Sequence, residues 1–272
     1  MTIHPPDQSD WQAFDRLAAD EGWRVPVLER QLFGSAWADA VGVLHDQGRF
    51  GGLVTALAHE KSGWIGNLIV PPELRGRGYG KSLFAWAMQR LLDAKVDSIW
   101  LTASAAGRPI YEKAGFRLVA KVERWRFDPT GKPRATGDAP ASVEPSLPSL
   151  DRQAWGEQRQ ALLAALQPQS LSLACNDSAA YLQKGKDLQV IGPWYSADLC
   201  PRSNRTLLQL ALAKADPGVE IVVDLVESNV VRLLLSAAMF EKVGQTDLMV
   251  YGDSAAVNLA PMISLASLGS FG

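Results

Sequence analysis

The 272-residue chain reads as an α/β protein built from two tandem units. Three observations predict this. Segments with strand alternation and segments with helical spacing take turns along the chain. A gap-free internal repeat emerges when the sequence is shifted by 124 positions. Between the copies, residues 129–148 (PTGKPRATGDAPASVEPSLP) are dominated by Pro, Gly, Ser and Ala, the composition of a linker. The predicted units are therefore 1–128 and 149–272, and the length agrees with about 150 residues per domain.

The elements of the first unit follow in order. Asp10 to Trp23 is amphipathic, with Trp11, Phe14, Leu17 and Ala18 on one face and Asp10 as the expected N-cap. A second helix is expected over Val27 to Trp37. Ala40 to Leu44 and Gly51 to His59 alternate as strands joined by a turn through Asp46-Gln47-Gly48. Trp64 to Val70 is a third strand, ended by Pro71 and Pro72. Lys81 to Ala94 has helical spacing, Ser98 to Thr102 reads as a buried strand, and Pro109 to Ala114 as a short helix with Gly115 at C′. Arg117 to Phe127 is a long strand.

The shift lays Leu83 on Leu207, Ala87 on Ala211, Ser104 on Ser228 and Phe116 on Phe240. Helix LFAWAMQRLL lies over LLQLALAKAD, and strand DSIWLT over IVVDLV. VERWRF lies over TDLMVY. Residue identity is low, so the shared order of elements carries the repeat. It fails at one place: Arg75-Gly76-Arg77-Gly78-Tyr79-Gly80 lies over Leu199-Cys200-Pro201-Arg202-Ser203-Asn204. Every glycine is lost, and Pro201 removes a backbone donor.

Composition excludes several classes. The formal net charge of −2 provides no field for nucleic acid or an anionic membrane. Two cysteines, Cys175 and Cys200, and three histidines have no metal or redox spacing, which fits a reduced, cytoplasmic setting and no metal. The start, MTIHPPDQSDW, lacks the apolar core of a signal peptide. Ala255 to Phe271 is apolar but interrupted by Asn258, Pro261 and serines, so it reads as packed structure and not a membrane anchor.

The Gly-rich turn stands between a strand and a helix, where backbone N–H groups and a helix N-terminus converge on an anion. Gly76, Gly78 and Gly80 allow close approach, and Arg75, Arg77 and Lys81 add positive charge. It matches neither the P-loop nor the dinucleotide fingerprint. By itself it specifies an anion site and no particular anion.

The stretch NLIVPPELRGRGYGKSLFAWAMQRL resembles motif A of the GNAT superfamily of acyl-CoA N-acyltransferases, whose R/Q-x-x-G-x-G/A pattern is met by Arg75, Gly78 and Gly80. GRPIYEKAGFRLV is similar to the last helix and strand of that family, through Tyr111 and the Gly115-Phe116 pair. The resemblance covers residues 40 to 127. More loosely, IGPWY, IVVDLVESN and Ala238-Met239-Phe240 resemble a second, degenerate GNAT-like unit, with Met239 in the place of the glycine.

The resemblance implies a mixed, partly splayed sheet flanked by helices in each unit. It implies that Leu68, Ile69 and Val70 hold the pantetheine arm of acetyl-CoA (or another short acyl-CoA) through backbone groups. The turn Arg75 to Gly80, with Tyr79 and Lys81, would hold the pyrophosphate. Tyr111 would protonate the departing thiolate. The expected reaction is direct acyl transfer to the primary amine of a small molecule. Two alternatives stay open: a non-catalytic acyl-CoA sensor, and transfer to a protein or peptide amine. The chain departs from the family at the general base. Where many members carry a strand carboxylate there is Trp64, leaving His59, Glu60, Glu123 or a water as candidates. Five tryptophans, at 23, 37, 64, 125 and 194, fall near the expected acceptor cleft. The second unit is expected to close that cleft.

Overall fold

The computed structural model describes residues 3–130, 146–227 and 229–272. Most of the expected linker, residues 131–145, and Ser228 of the repeat lie outside the described residues.

The first half begins with β1 (Ile3–His4), α1 (Gln8–Asp20) and α2 (Val27–Phe33). The cap of α1 is Asp7, not Asp10. The Asp7 carboxylate accepts from the N–H of Ser9 and Asp10, and Asp10 answers from N3 by accepting the Asp7 N–H at 3.0 Å. This reciprocal pair satisfies donors that a helix start leaves free. The helix therefore starts three residues earlier than the apolar spacing suggests. Then come β2 (Val41–Asp46), β3 (Arg49–Ala58), β4 (Ser62–Ile69), α3 (Tyr79–Asp93), β5 (Ser98–Ala103), α4 (Arg108–Lys113) and β6 (Arg117–Phe127). The hairpin turn sets Gln47 and Gly48 at positive φ, the geometry that matches strand twist.

The second half runs α5 (Leu147–Trp155), α6 (Gln160–Leu166), β7 (Ser170–Cys175), β8 (Ser178–Gln183), β9 (Leu188–Ser196), α7 (Pro201–Lys214), β10 (Glu220–Val226), α8 (Asn229–Ala237), β11 (Glu241–Gly252) and β12 (Met262–Ser264). The order β9-α7-β10-α8-β11 repeats β4-α3-β5-α4-β6, as the shifted sequence predicts. The equivalence reaches individual backbone angles: Gly115 has φ +93° and Met239, its counterpart, φ +65°.

The fold is α/β, with one mixed twelve-stranded sheet flanked by helices. Its order is β1-β2-β3-β4-β5-β11-β6-β10-β12-β9-β8-β7. The two halves trade their last long strands. β11 lies antiparallel between β5 and β6, and β6 lies antiparallel against β10. The side chains follow the exchange. Trp125 of β6 packs into the core of the second half, and Met249 of β11 into the core of the first. A third core is shared, with Trp155 against Trp64 and Trp100 at ring separations of 6.4 and 5.4 Å.

Each half contains one parallel pair that starts closed and then diverges. β4 and β5 pair from Ser62/Ser98 to Trp64/Trp100 and separate beyond. β9 and β10 pair from Leu188/Glu220 to Val190/Val222. In the second half the gap is filled: β12 pairs with β9 on one side and with β10 on the other. In the first half no strand among the described residues fills it.

Candidate active site

The open divergence of β4 and β5 is the place to build from. β4 carries an irregularity there. Leu53 of β3 faces Ile69 and Thr55 faces Gly66, so β4 holds one extra residue in that interval. Asn67 absorbs it at φ +53°, which suits asparagine better than most residues. The simple alternation expected for Trp64, Gly66 and Leu68 is thereby broken. Gly66, Asn67 and Leu68 all line a cavity of about 210 Å³, together with Thr102 and Ser104 at the end of β5 and Tyr111 on α4.

Tyr111 packs with its ring tilted against Phe84 and Phe116 at 5.4 and 6.1 Å. Burial pushes its phenol up to about 12. It therefore keeps its proton at neutral pH, as a proton donor must.

Across the cavity stands Glu29 of α2, only 3% exposed. Its carboxylate accepts from Asn67 Nδ2 at 3.0 Å. The nearest cation, Arg124, is held bidentate by Asp224 at 2.8 and 2.7 Å, so Glu29 has no direct ion pair. Burial raises its pKa, while the neighbouring Ser270 hydroxyl, the bond from Asn67 and the charge of Arg124 counteract only part of that. Glu29 was not a sequence candidate. In VLERQLF it looks like any solvated helix glutamate. The available signal was that Val27, Leu28, Leu32 and Phe33 leave little of this short helix for water.

The three sequence candidates for the base stand elsewhere. His59 is half-buried beside Arg159 and Asp151, and desolvation, then the Arg159 charge, lower its pKa to about 3. Glu60 is exposed and accepts from the Gln158 N–H. Glu123 is tied to Arg232, Lys242 and Trp125, which outweigh burial and bring its pKa to about 2. None of them lines the cavity. Trp64 is core, its indole N–H donating to the Gly269 carbonyl at 3.0 Å. Of the five tryptophans only Trp23 faces the cleft; Trp37, Trp125 and Trp194 are buried packing.

The Gly-rich turn follows β4. Gly76 and Gly78 have φ +78° and +88°, and a Cβ on either would meet nothing within 4 Å. No side chain caps the N-terminus of α3, which starts at Tyr79. Among the described residues the N–H groups from Gly76 to Lys81 have no hydrogen-bond partner, which leaves them available to an anion. Arg77 and Lys81 are exposed beside it. Arg75 is engaged, donating to the Val70 carbonyl at 3.0 Å and to Glu21 at 2.5 Å. Tyr79 is buried under α3, Ile69 is core, and Val70 packs near Gly52 and Gly80.

The corresponding turn of the second half is closed by the protein's own carboxylate. Asp177 accepts from Ser196 Oγ at 2.7 Å and from the N–H of Asp198 and Cys200 at 3.2 and 3.5 Å, and also bonds the Ser203 side chain.

The second half contributes to the first half's cavity. The segment after β12 crosses the mouth of the β4–β5 gap. Leu268 and Gly269 line it, and a Cβ on Gly66 would sit 2.6 Å from Ser270 Cα. A separate, more apolar cavity of about 520 Å³ lies in the second half near Leu208, Leu212 and Leu234. Its charged residues, Arg205 and Asp216, are exposed, so it holds no buried titratable pair.

Residues 37–118 match the acetyltransferase (GNAT) domain family. The whole chain is similar in fold to a proposed acetyltransferase from Pyrococcus horikoshii (20% identity, TM-score 0.77, 100% of this chain and 95% of that one). It is also similar to a GCN5-related N-acetyltransferase from Sphaerobacter thermophilus (15% identity, TM-score 0.70, 94% and 98%). A tandem GNAT protein from the clavulanic acid biosynthesis pathway shares the fold over 92% of this chain and 98% of its own (16% identity, TM-score 0.58). No curated protein matches the sequence. Among the described residues, no helix is long and apolar enough to cross a membrane.

Proposed function

We propose that the protein transfers an acetyl or other short acyl group from CoA to the primary amine of a small molecule, at one site in the first half. The observation that carries this reading is the open β4–β5 gap, with a protonated Tyr111 on one side, a buried Glu29 on the other, and an uncapped Gly-rich turn beyond. An acyl-CoA supplies an activated thioester. The residues of the chain bind and orient it and manage two protons.

The turn from Arg75 to Gly80 fits the pyrophosphate: its N–H groups converge at the start of α3, with Arg77 and Lys81 beside them. Leu68 lines the gap, and backbone groups of Leu68, Ile69 and Val70 would hold the pantetheine arm. A backbone N–H there would polarise the thioester carbonyl. As the new C–N bond forms and the C–S bond breaks, Glu29 takes the proton of the attacking nitrogen. Tyr111 gives its own proton to the leaving sulfur, and the two groups re-equilibrate through water. A buried glutamate in reach of the cleft answers the missing carboxylate on β4, which was the strongest reason to favour a non-catalytic binding module.

The second half is read as a wall and not as a second site. Its anion turn is occupied by Asp177 and its strand gap by β12. One acyl-CoA per chain is the expected stoichiometry.

The test is turnover of acetyl-CoA by the purified protein with a library of amines, followed as free thiol. Tyr111→Phe is expected to lower kcat about 100-fold while leaving CoA affinity unchanged. CoA binding without transfer to any amine would overturn the reading, and an unaffected Tyr111→Phe would remove the acid assignment.

A further inference from the structure

The bulge in β4 restricts what can stand at position 67. The backbone turns there through φ +53°, a region open to asparagine, aspartate and glycine and to few other residues. Glu29 narrows the choice further. Glycine would give its carboxylate no donor, and aspartate would set a second anion against it. Asparagine supplies an N–H, which Nδ2 donates to Glu29 Oε1 at 3.0 Å.

The same amide has a second end. A carboxylate can face only the NH2 of an amide, so Oδ1 is the end left over. It accepts no hydrogen bond among the described residues, and it is not one of their enclosed polar atoms. Asn67 is half-buried and lines the cavity together with Glu29, Thr102 and Tyr111, so Oδ1 is open to what enters there. The width of the amide adds about 2 Å to the 3.0 Å bond, which places Oδ1 within about 5 Å of Glu29 Oε1. One nitrogen spans that separation with two hydrogen bonds of about 2.9 Å. The cations on the cavity wall are already paired: Arg24 with Glu220 at 3.0 Å and Arg124 with Asp224 at 2.7 Å.

We propose that Asn67 binds the attacking nitrogen and selects a primary amine over a secondary one. Its NH2 positions Glu29, and its Oδ1 accepts the N–H that Glu29 does not take. The inference rests on the acyl-transfer reading, with Glu29 as the base. A neutral primary amine has two N–H groups, one for each acceptor, and keeps its lone pair for the thioester carbon. A neutral secondary amine has one, so Oδ1 goes without a donor as the C–N bond forms.

Butylamine and N-methylbutylamine differ by that one N–H. With acetyl-CoA, kcat/KM for butylamine is expected to exceed that for the N-methyl compound by about tenfold, the worth of one hydrogen bond. Two variants suit the backbone angle. Asn67→Gly should lose the preference because the primary amine slows. Asn67→Asp keeps an acceptor but loses the donor to Glu29. Its preference should persist, while the acid limb of kcat/KM moves to higher pH. Equal rates for the two amines in the unaltered protein would overturn the proposal. So would a preference lost in Asn67→Gly only because the secondary amine speeds up, which is steric exclusion. An unmoved limb in Asn67→Asp would remove the positioning role. Calorimetry in the presence of CoA separates this from failure of the transfer reading. The butylammonium ion has three N–H groups and the N,N-dimethylbutylammonium ion has one. The first should bind about tenfold tighter, and Asn67→Gly should weaken the first alone. That result supports the role of Asn67 even in a protein that transfers to no amine, and its absence overturns that role whatever the turnover.

Discussion

Glu29 shows how far one residue's chemistry depends on its surroundings. Its carboxyl accepts from Asn67 and has no ion pair among the described residues, and burial favours its neutral form. A general base must be ionised, so kcat/KM is expected to fall as pH drops through a midpoint above the ordinary glutamate value of 4.5. Glu29→Gln keeps an oxygen for Asn67 and removes the base. Rate–pH profiles of the two proteins should show kcat/KM down by about 100-fold or more in the variant, with the acid limb gone. A retained limb would assign it to another group. The stability effect has the opposite sign. Because the folded pKa is raised, wild-type stability is full below 4.5 and declines as pH rises towards the folded value. Glu29→Gln lacks that decline, so its Tm should match wild type in acid and exceed it at neutral pH. The residue proposed as the acid was named from the sequence, since Tyr111 stands at a fixed offset before Gly115-Phe116, and it does line the cavity. Glu29 was not, because its isolation comes from β4 and from the segment after β12, which are distant in sequence.

At the level of elements, the repeat proved legible because backbone geometry outlives side-chain identity. Gly115 and Met239 both end a helix and both turn through positive φ before an aromatic residue that packs inward. Only glycine adopts that region without penalty. Met239→Gly is therefore expected to stabilise the protein by about 1 kcal/mol, the αL strain relieved less the entropy of a freer unfolded chain. Chemical denaturation checks this: an increased midpoint at constant slope is the expected result, and a decrease would mean that contacts of the Met239 side chain outweigh the strain. The Gly-rich turn and its degenerate copy show the same logic applied to function. Loss of the glycines and gain of Pro201 lead to the expectation that the second turn binds no cofactor anion. That Asp177 accepts from N–H groups of this turn could not be read, because Asp177 lies on a hairpin remote from the turn until β8 and β9 pair. The start of α1 was misplaced by three residues for a smaller reason of the same kind: apolar spacing locates the buried face of a helix, while the cap is set by which carboxylate reaches back.

The whole molecule departs furthest from what the sequence suggests, because strand pairing is non-local and alternation does not say which neighbour a strand will choose. Each half supplies its own β-strands up to the last long one, and that one completes the other half. Ending the chain near Asp128 would thus remove more than an acceptor wall. It would strip β11 from β5 and leave both β5 and β6 as open edges carrying buried apolar side chains. Exposed edges of that kind pair with other chains. It would also take away Trp155, against which Trp64 and Trp100 pack, and Glu157, which caps Lys61 and Ser62 at the start of β4. We predict that a fragment of residues 1–130 is insoluble or unfolded by itself, that a fragment of residues 146–272 fares no better, and that co-expression of the two restores a soluble complex that binds CoA. The intact protein should correspondingly melt in one transition with coincident fluorescence and circular-dichroism midpoints, as a molecule with a shared core does. Two separated transitions, or a first fragment that folds and binds CoA alone, would show that the strand exchange couples the halves only weakly. In that event the wall contributed by Leu268 and Gly269 would be a detachable lid and not a fixed part of the site.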